Sequence, residues 1–306
     1  MATLLDVLNA FSTSVVTFNT LKPQHITREN IYAGNNVVVC RCMEQTSGIE
    51  MALRCYPRHR RNISAIYGSS YMPNELNICV LNCVSEVLDV VALPWIDGVS
   101  LDKLLGVPHT DYRKLSQSFD RLALGMLSTP RTHGDIKPAN IIVRPCGDMH
   151  FIDYDASWQP GFTLADVEEV GTPAFCHPQH GITFFDKRVD DFAIALVSVM
   201  LAALAYRRAY FEPYIKKDGS LFVPVEVVTA PICCLMMRAC SLSVRPIWHT
   251  SILRICYLVV MDMSKALPML LGRRCADRWA YSTGSACMMA TSVPLRRSIM
   301  LSPSIS

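Results

Sequence analysis

The chain has 306 residues, 51% of them apolar and 18% charged, with a net charge of +3. Half-apolar composition excludes a disordered chain, and so small a positive surplus gives no reason to expect nucleic-acid binding. The thirteen cysteines fall into no C-x₂₋₄-C pairs, so they read as small core residues in a reducing, cytoplasmic setting rather than as zinc ligands.

At the N-terminus no basic segment precedes the apolar residues and Asp6 interrupts them, which argues against a secretory signal. Leu4, Leu5, Val7, Leu8 and Phe11 have helical spacing, and residues 1–29 are expected to form a helical extension. Strand patterns follow at 37–42 and 51–56 around a Thr-Ser-Gly turn at 46–48, then at Leu76–Val84 and Val87–Leu93. Pro94 to Gly98 reads as a connector, Ser100 as the N-cap of a helix, and 111–128 as a second helix. Phe192 to Ala205 is an uncharged apolar run of fourteen residues. That is short for a membrane span and suits a buried core helix, so no membrane span is expected.

The chemistry concentrates in His133-Gly134-Asp135-Ile136-Lys137-Pro138-Ala139-Asn140, followed by Phe151-Ile152-Asp153-Tyr154-Asp155. Asp135 can accept a hydroxyl proton, Lys137 can neutralise a phosphate, and Asn140 and Asp153 can hold Mg²⁺ through oxygen. Gly171-Thr172-Pro173 with His177-Pro178-Gln179, and then Asp190-Asp191-Phe192-Ala193, follow in order. Together these motifs resemble the eukaryotic-type protein kinases, and most of all their bacterial Ser/Thr branch, over residues 30–205.

The resemblance implies an α+β, two-lobed fold with ATP bound between the lobes. A β-rich N-lobe would span 30–93, and the hinge with a mainly helical C-lobe 94–230. It implies catalytic Asp135 and Lys137 and metal ligands Asn140 and Asp153. The ATP pocket would be formed by Gly34, Val38, Ala52, Arg54, Pro94 and Ile96, the last two through backbone C=O and N–H. His133, Thr172, Gln179 and Asp190 would have structural roles, with Thr172 bonding near Asp135 and Lys137.

Several positions depart from the family pattern. In Met51-Ala52-Leu53-Arg54, arginine stands where the family has its phosphate-contacting lysine, and lysine there would restore a compact point charge. The glutamate that pairs with that lysine has no clear counterpart. Glu75 is the only acid before the next strands and reads as a strand-edge residue, and the N-lobe helix near Asn62–Gly68 is very short. Tyr32-Ala33-Gly34-Asn35-Asn36-Val37 offers one glycine where the phosphate loop has three, and Gln179 replaces the acid that ends the activation segment. Gly134 stands before Asp135 in place of an arginine, and no basic residue lies between Asp153 and Gln179. Control by phosphorylation of Ser157, Thr163 or Thr172 is therefore not expected.

Residues 1–230 carry 20 basic and 24 acidic side chains, whereas 231–306 carry 9 basic and 2 acidic, with eight Met and six Cys. That tail reads either as a divergent end of the C-lobe or as sequence out of frame. The leading functional expectation is ATP- and Mg²⁺-dependent phosphorylation of Ser or Thr in a protein substrate. A pseudokinase binding module and a small-molecule kinase of the aminoglycoside or choline type are the alternatives.

Overall fold

The computed structural model describes residues 2–13, 16–34, 36–80, 84–178, 180–222 and 224. The chain divides into units Met1–Pro231 and Ile232–Ser306. The basic tail from 231, and with it the choice between its two readings, lies outside the described residues, as does Gln179.

The first unit is α+β. Helix α1 (Leu4–Ser12) is closed at its start by a capping box, in which Thr3 and Asp6 each accept from the other's backbone N–H. Strands β1 (Val16–Phe18), β2 (Pro23–Gln24), β3 (Ile31–Ala33), β4 (Val38–Glu44) and β5 (Glu50–Tyr56) follow. Helix α2 (Ile63–Tyr67) has only five residues, and the long strands β6 (Tyr71–Val80) and β7 (Val84–Pro94) complete a seven-stranded antiparallel sheet. The expected turn at 46–48 joins β4 to β5, with Gly48 at φ +66°. Strand β6 starts five residues ahead of the apolar run that marks it, because its register shifts between Met72 and Leu76, where Asn74 has φ +53°.

The N-terminal 29 residues are not a separate helical extension. The order β1-β6-β7-β5-β4-β2 places β1 on one edge of the sheet and β2 on the other, with β3 also pairing β4. Five inter-strand steps at about 4.8 Å would put the edges of a flat sheet about 24 Å apart. The five residues from Phe18 to Pro23 reach at most about 18 Å. The sheet must therefore curl until its edges approach. Its concave side is filled by Val38, Cys40, Leu53, Leu76, Ile78 and Val90, on which α1 packs Val7, Ala10 and Phe11. Glu75 pins this closure from β6: buried, it accepts from the Thr20 N–H (2.8 Å), the Thr20 hydroxyl (2.7 Å) and the Leu21 N–H (2.7 Å).

Beyond the sheet, β8 (Val99–Ser100) leads into α3 (Leu101–Leu104) and α4 (Tyr112–Leu127), then β9 (Ile141–Val143), β10 (Met149–Phe151) and α5 (Asp191–Phe211). Ser100 occupies the N-cap position of α3, but its hydroxyl makes no capping bond, whereas the Asp111 carboxylate caps α4 through the Lys114 N–H (3.0 Å). Strands β10, β9 and β8 form a small antiparallel sheet beneath the first. Residues 191–214 are long and apolar enough, by length and composition, to cross a membrane. Eleven residues of α5 are nevertheless buried within the protein, and Ser198 donates to Asp120 of α4 (3.4 Å). This is the packing expected of a core helix.

Candidate functional site

After α4 the chain turns through residues 132–140, a segment held from three sides. The Asp190 carboxylate, just ahead of α5, accepts from the backbone N–H of His133 (2.6 Å) and Gly134 (2.8 Å). His133 is fully buried; its Nε2 donates to the Ile152 carbonyl (2.8 Å), which leaves Nδ1 to accept the Asp135 N–H (3.2 Å). Gly134 has φ +85°, and a Cβ there would lie 1.9 Å from the Ala156 carbonyl oxygen. Only glycine fits this turn.

This anchored turn presents Asp135. Its Oδ2 accepts from Lys137 Nζ (2.6 Å) and Asn140 Nδ2 (3.0 Å), and its Oδ1 from the Thr172 N–H (2.6 Å). Lys137 Nζ also donates to the Thr172 hydroxyl (2.7 Å), so Thr172 sits where expected. Burial alone would raise the Asp135 pKa; the Lys137 hydrogen bond and charge, with the Thr172 N–H, outweigh it and hold the carboxyl below its ordinary range. Asp135 is thus ionised at neutral pH. Residues 138–140 form a single 3₁₀ turn, after which the β9–β10 hairpin returns the chain so that the Ile152 N–H bonds the Asn140 carbonyl (2.9 Å). The hairpin thereby brings Asp153 to Asn140. Asp153 takes the left-handed conformation, φ +69°, rare outside glycine and tolerated best by Asn and Asp.

Arg54 is not a surface residue. It is 6% exposed, and its Nη2 lies 2.6 Å from Asp153 Oδ1 and 2.9 Å from Asp155 Oδ2. Its Nε donates to the Tyr56 hydroxyl (3.0 Å), which in turn donates to Asp155 Oδ1 (3.0 Å). Tyr67 of α2 donates to the same Oδ1 (2.7 Å), and Arg60 bridges Asp155 (3.5 Å) and Glu169 (2.7 Å). Burial would lower the Arg54 pKa, but the surrounding tyrosines and the two aspartates raise it, so the guanidinium stays charged. Burial likewise raises Tyr56 and Tyr67, keeping both as neutral donors. Asp155, Tyr56, Tyr67 and Arg60 were not singled out from the sequence. The one local signal was the second acid of Ile152-Asp153-Tyr154-Asp155.

Between the two sheets lies a cleft of about 920 Å³. Its roof is Val39, Ala52 and Leu93, its floor Ala139, Ile142 and Phe151, and its inner end Arg54 and Asp153. Pro94 and Ile96 lie at its edge. The Trp95 N–H is engaged by the Glu50 carbonyl (2.9 Å), while among the described residues nothing accepts from the Ile96 N–H. Tyr32 stacks on Trp95 at the edge (centroids 5.9 Å), and Arg41 lies over the indole (4.9 Å).

Two expected lining residues are displaced. Val38 is fully buried in the core beneath the sheet, and Val39 faces the cleft, because neighbours on a strand point to opposite faces. Gly34 does not line the cleft; its N–H closes a tight turn onto the Val37 carbonyl (2.8 Å), with Asn35 outside the described residues. Asp135, Lys137 and Asn140 form their own hydrogen-bonded group beside the cleft, joined to it through Ala139 and Ile152.

The segment after Asp155 packs closely on this group. A Cβ at Gly171 would lie 2.4 Å from the Gly134 carbonyl oxygen and 2.5 Å from Cys176 Sγ. Burial, together with Asp135 and Asp190, pushes the Cys176 thiol up to about 12, so it is no nucleophile. Ser157 is buried and donates to the His133 carbonyl (3.3 Å), and Thr163 caps a short turn through Asp166 (2.8 Å). Arg60 is held by Glu169 and Arg61 by Glu168, while Lys137 reaches this segment at the Thr172 hydroxyl. Among models of known protein families, none matches this chain.

Proposed function

We propose that the protein is an ATP- and Mg²⁺-dependent kinase of the eukaryotic-type superfamily that phosphorylates Ser or Thr in a protein substrate. The observation that carries this reading is the ionised Asp135, held by Lys137, Asn140 and Thr172 next to a cleft that ends in Arg54 and Asp153. A carboxylate offers about four lone-pair sites. Lys137 and Asn140 approach Oδ2 and the Thr172 N–H approaches Oδ1, with the Thr172 side chain beside them, and an acceptor hydroxyl would complete this set. Asp135 would orient that hydroxyl and receive its proton as the phosphoryl group moves. Lys137, beside Asp135, would offer a positive charge to the incoming phosphate.

The donor set also suits magnesium. Asp153 keeps a carboxylate 37% exposed, and Asn140 uses its amide nitrogen toward Asp135, which leaves the amide oxygen as its metal-binding atom. Oxygen-only ligation by one carboxylate and one amide, completed by water and phosphate, is what Mg²⁺ takes. Bound there, the ion would neutralise charge on the transferred phosphate. The apolar roof and floor of the cleft fit a purine, and the free Ile96 N–H at its edge is a donor for the base.

One observation favours the second reading, a nucleotide-binding pseudokinase. Asp153 Oδ1 is already paired with Arg54 at 2.6 Å, so magnesium has to share or displace that contact. Turnover of ATP by the full chain, with and without Mg²⁺ and a generic protein acceptor, separates the two. Labelled phosphate on Ser or Thr supports the kinase. Mg²⁺-dependent thermal stabilisation by ATP without any transfer supports the pseudokinase. Transfer only to aminoglycosides or choline would refute the protein-substrate assignment.

A further inference from the structure

Resting on the phosphoryl-transfer reading, we propose that Asp155 is the positioning residue for Arg54, in the role an acid on the N-lobe helix would otherwise fill. No acid of α2 reaches Arg54: the helix is Ile63–Tyr67, with no carboxylate in it. The acid of β6 is turned away, since both oxygens of Glu75 hold Thr20 and Leu21. Asp155 instead rises from the loop below and receives four donors, namely Arg54 Nη2 (2.9 Å), the hydroxyls of Tyr56 (3.0 Å) and Tyr67 (2.7 Å), and Arg60 Nη1 at a longer 3.5 Å. It is 8% exposed, so its charge acts with little solvent screening.

This geometry gives the two aspartates different tasks. Asp153 and Asp155 both touch the same nitrogen of Arg54. Asp153 is the more exposed and is the metal-binding candidate, so its hold on Arg54 can be exchanged. Asp155 is fixed by donors from two elements, β5 and α2, and keeps the guanidinium in place when Asp153 turns to a cation. Tyr56 locks the second coordinate by bonding both Arg54 Nε and Asp155. Among the described residues no side chain accepts from Arg54 Nη1, and Arg54 lines the cleft; that nitrogen is the one offered to phosphate.

The test is a cycle in the full chain of Asp155→Asn, Arg54→Met and the double variant, reading KM for ATP, kcat and Tm. Removing a charged partner from an oriented donor is expected to raise KM for ATP about 10-fold or more. If Asp155 acts through Arg54, the double variant has the KM of Arg54→Met alone. A purely structural role would instead lower the active fraction and kcat, leave KM unchanged, and make the two losses multiply. Should Asp155→Asn fail to fold, Tyr56→Phe removes one hydroxyl shared by both residues and is expected to raise KM about threefold. Wild-type KM in a folded Asp155→Asn or in Tyr56→Phe, or multiplicative losses, overturns the assignment while leaving the kinase reading in place. A wild-type chain that neither binds Mg²⁺–ATP nor turns it over refutes that reading, and this inference falls with it.

Discussion

Replacing Arg54 by lysine supplies the residue that the kinases resembled in sequence carry on the corresponding strand, and from that resemblance alone it should help. The structure predicts the reverse. Arg54 uses Nε for the Tyr56 hydroxyl and Nη2 for two carboxylates at 2.6 and 2.9 Å. Lysine has no equivalent of Nε, so the Tyr56 oxygen loses its donor in a buried setting. The lysine amine also falls short of the point between Asp153 and Asp155, so at least one of those contacts lengthens. One neutral-acceptor bond at about 1 kcal/mol and a weakened charge-assisted one at about 1.5 kcal/mol give a loss of about 2–3 kcal/mol. For a unit of this size each kcal/mol shifts Tm by about 2–4 °C, so Arg54→Lys should melt about 5–10 °C lower. Arg54→Met, which strands the buried Asp155 charge, should lose more, about 3–5 kcal/mol. Thermal melting by circular dichroism, with ATP turnover measured on the same samples, checks both. An Arg54→Lys protein that melts within about 1 °C of wild type and turns over faster would refute this account.

Asp135→Asn should lower turnover by about 10²–10⁴, as loss of a general base does. It should also cost stability, because both carboxylate oxygens accept from donors and the new NH₂ must face one of them; equal turnover and equal Tm would be the contrary result. Gly134→Ala should lower Tm by more than Gly125→Ala, a helical glycine with nothing within 4 Å of a new Cβ, and should disturb Asp135; a melt matching wild type would contradict the close approach to Ala156. Acid should destabilise with a definite sign. Asp135 in the folded protein titrates below its ordinary 3.8, so its contribution is fully present above that value and is lost as pH falls through the lower folded one. Glu168, lowered by the Arg61 N–H and side chain against the opposing effect of burial, acts in the same direction from 4.5 downward. Urea midpoints from about pH 6 to about pH 3 should therefore fall only at the acid end, and less steeply in Asp135→Asn.

Local patterns made much of this fold legible. The β4–β5 hairpin, helix α4 and the brevity of α2 all follow from short-range spacing and turn residues. The loop from His133 to Asn140 could be read because its functional groups lie within eight residues. What escaped was non-local or a matter of parity. Strands β1 and β2 have three and two residues, too few for any alternation to register, and they exist only because β6 and β4 offer them edges. Val38 and Val39 are identical in chemistry, so sequence cannot say which faces the cleft; the pairing of Val38 with Cys55 and of Val39 with Arg54 decides it. Asp155 was invisible as an Arg54 partner because the two are separated by about a hundred residues, and only the β9–β10 return and the curled sheet bring them together.

That curl, with consecutive N-terminal strands sealing opposite margins, bears on solubility and on how the chain can be cut. Unpaired strand margins template the addition of further chains, and here residues 16–24 occupy both at once. Trimming the protein to start at residue 30 would bare one flank of β6 and part of β4 together. It would also leave the buried Glu75 carboxylate without Thr20 and Leu21. The first two dozen residues act as an intramolecular guard against aggregation, although none of them belongs to the proposed site.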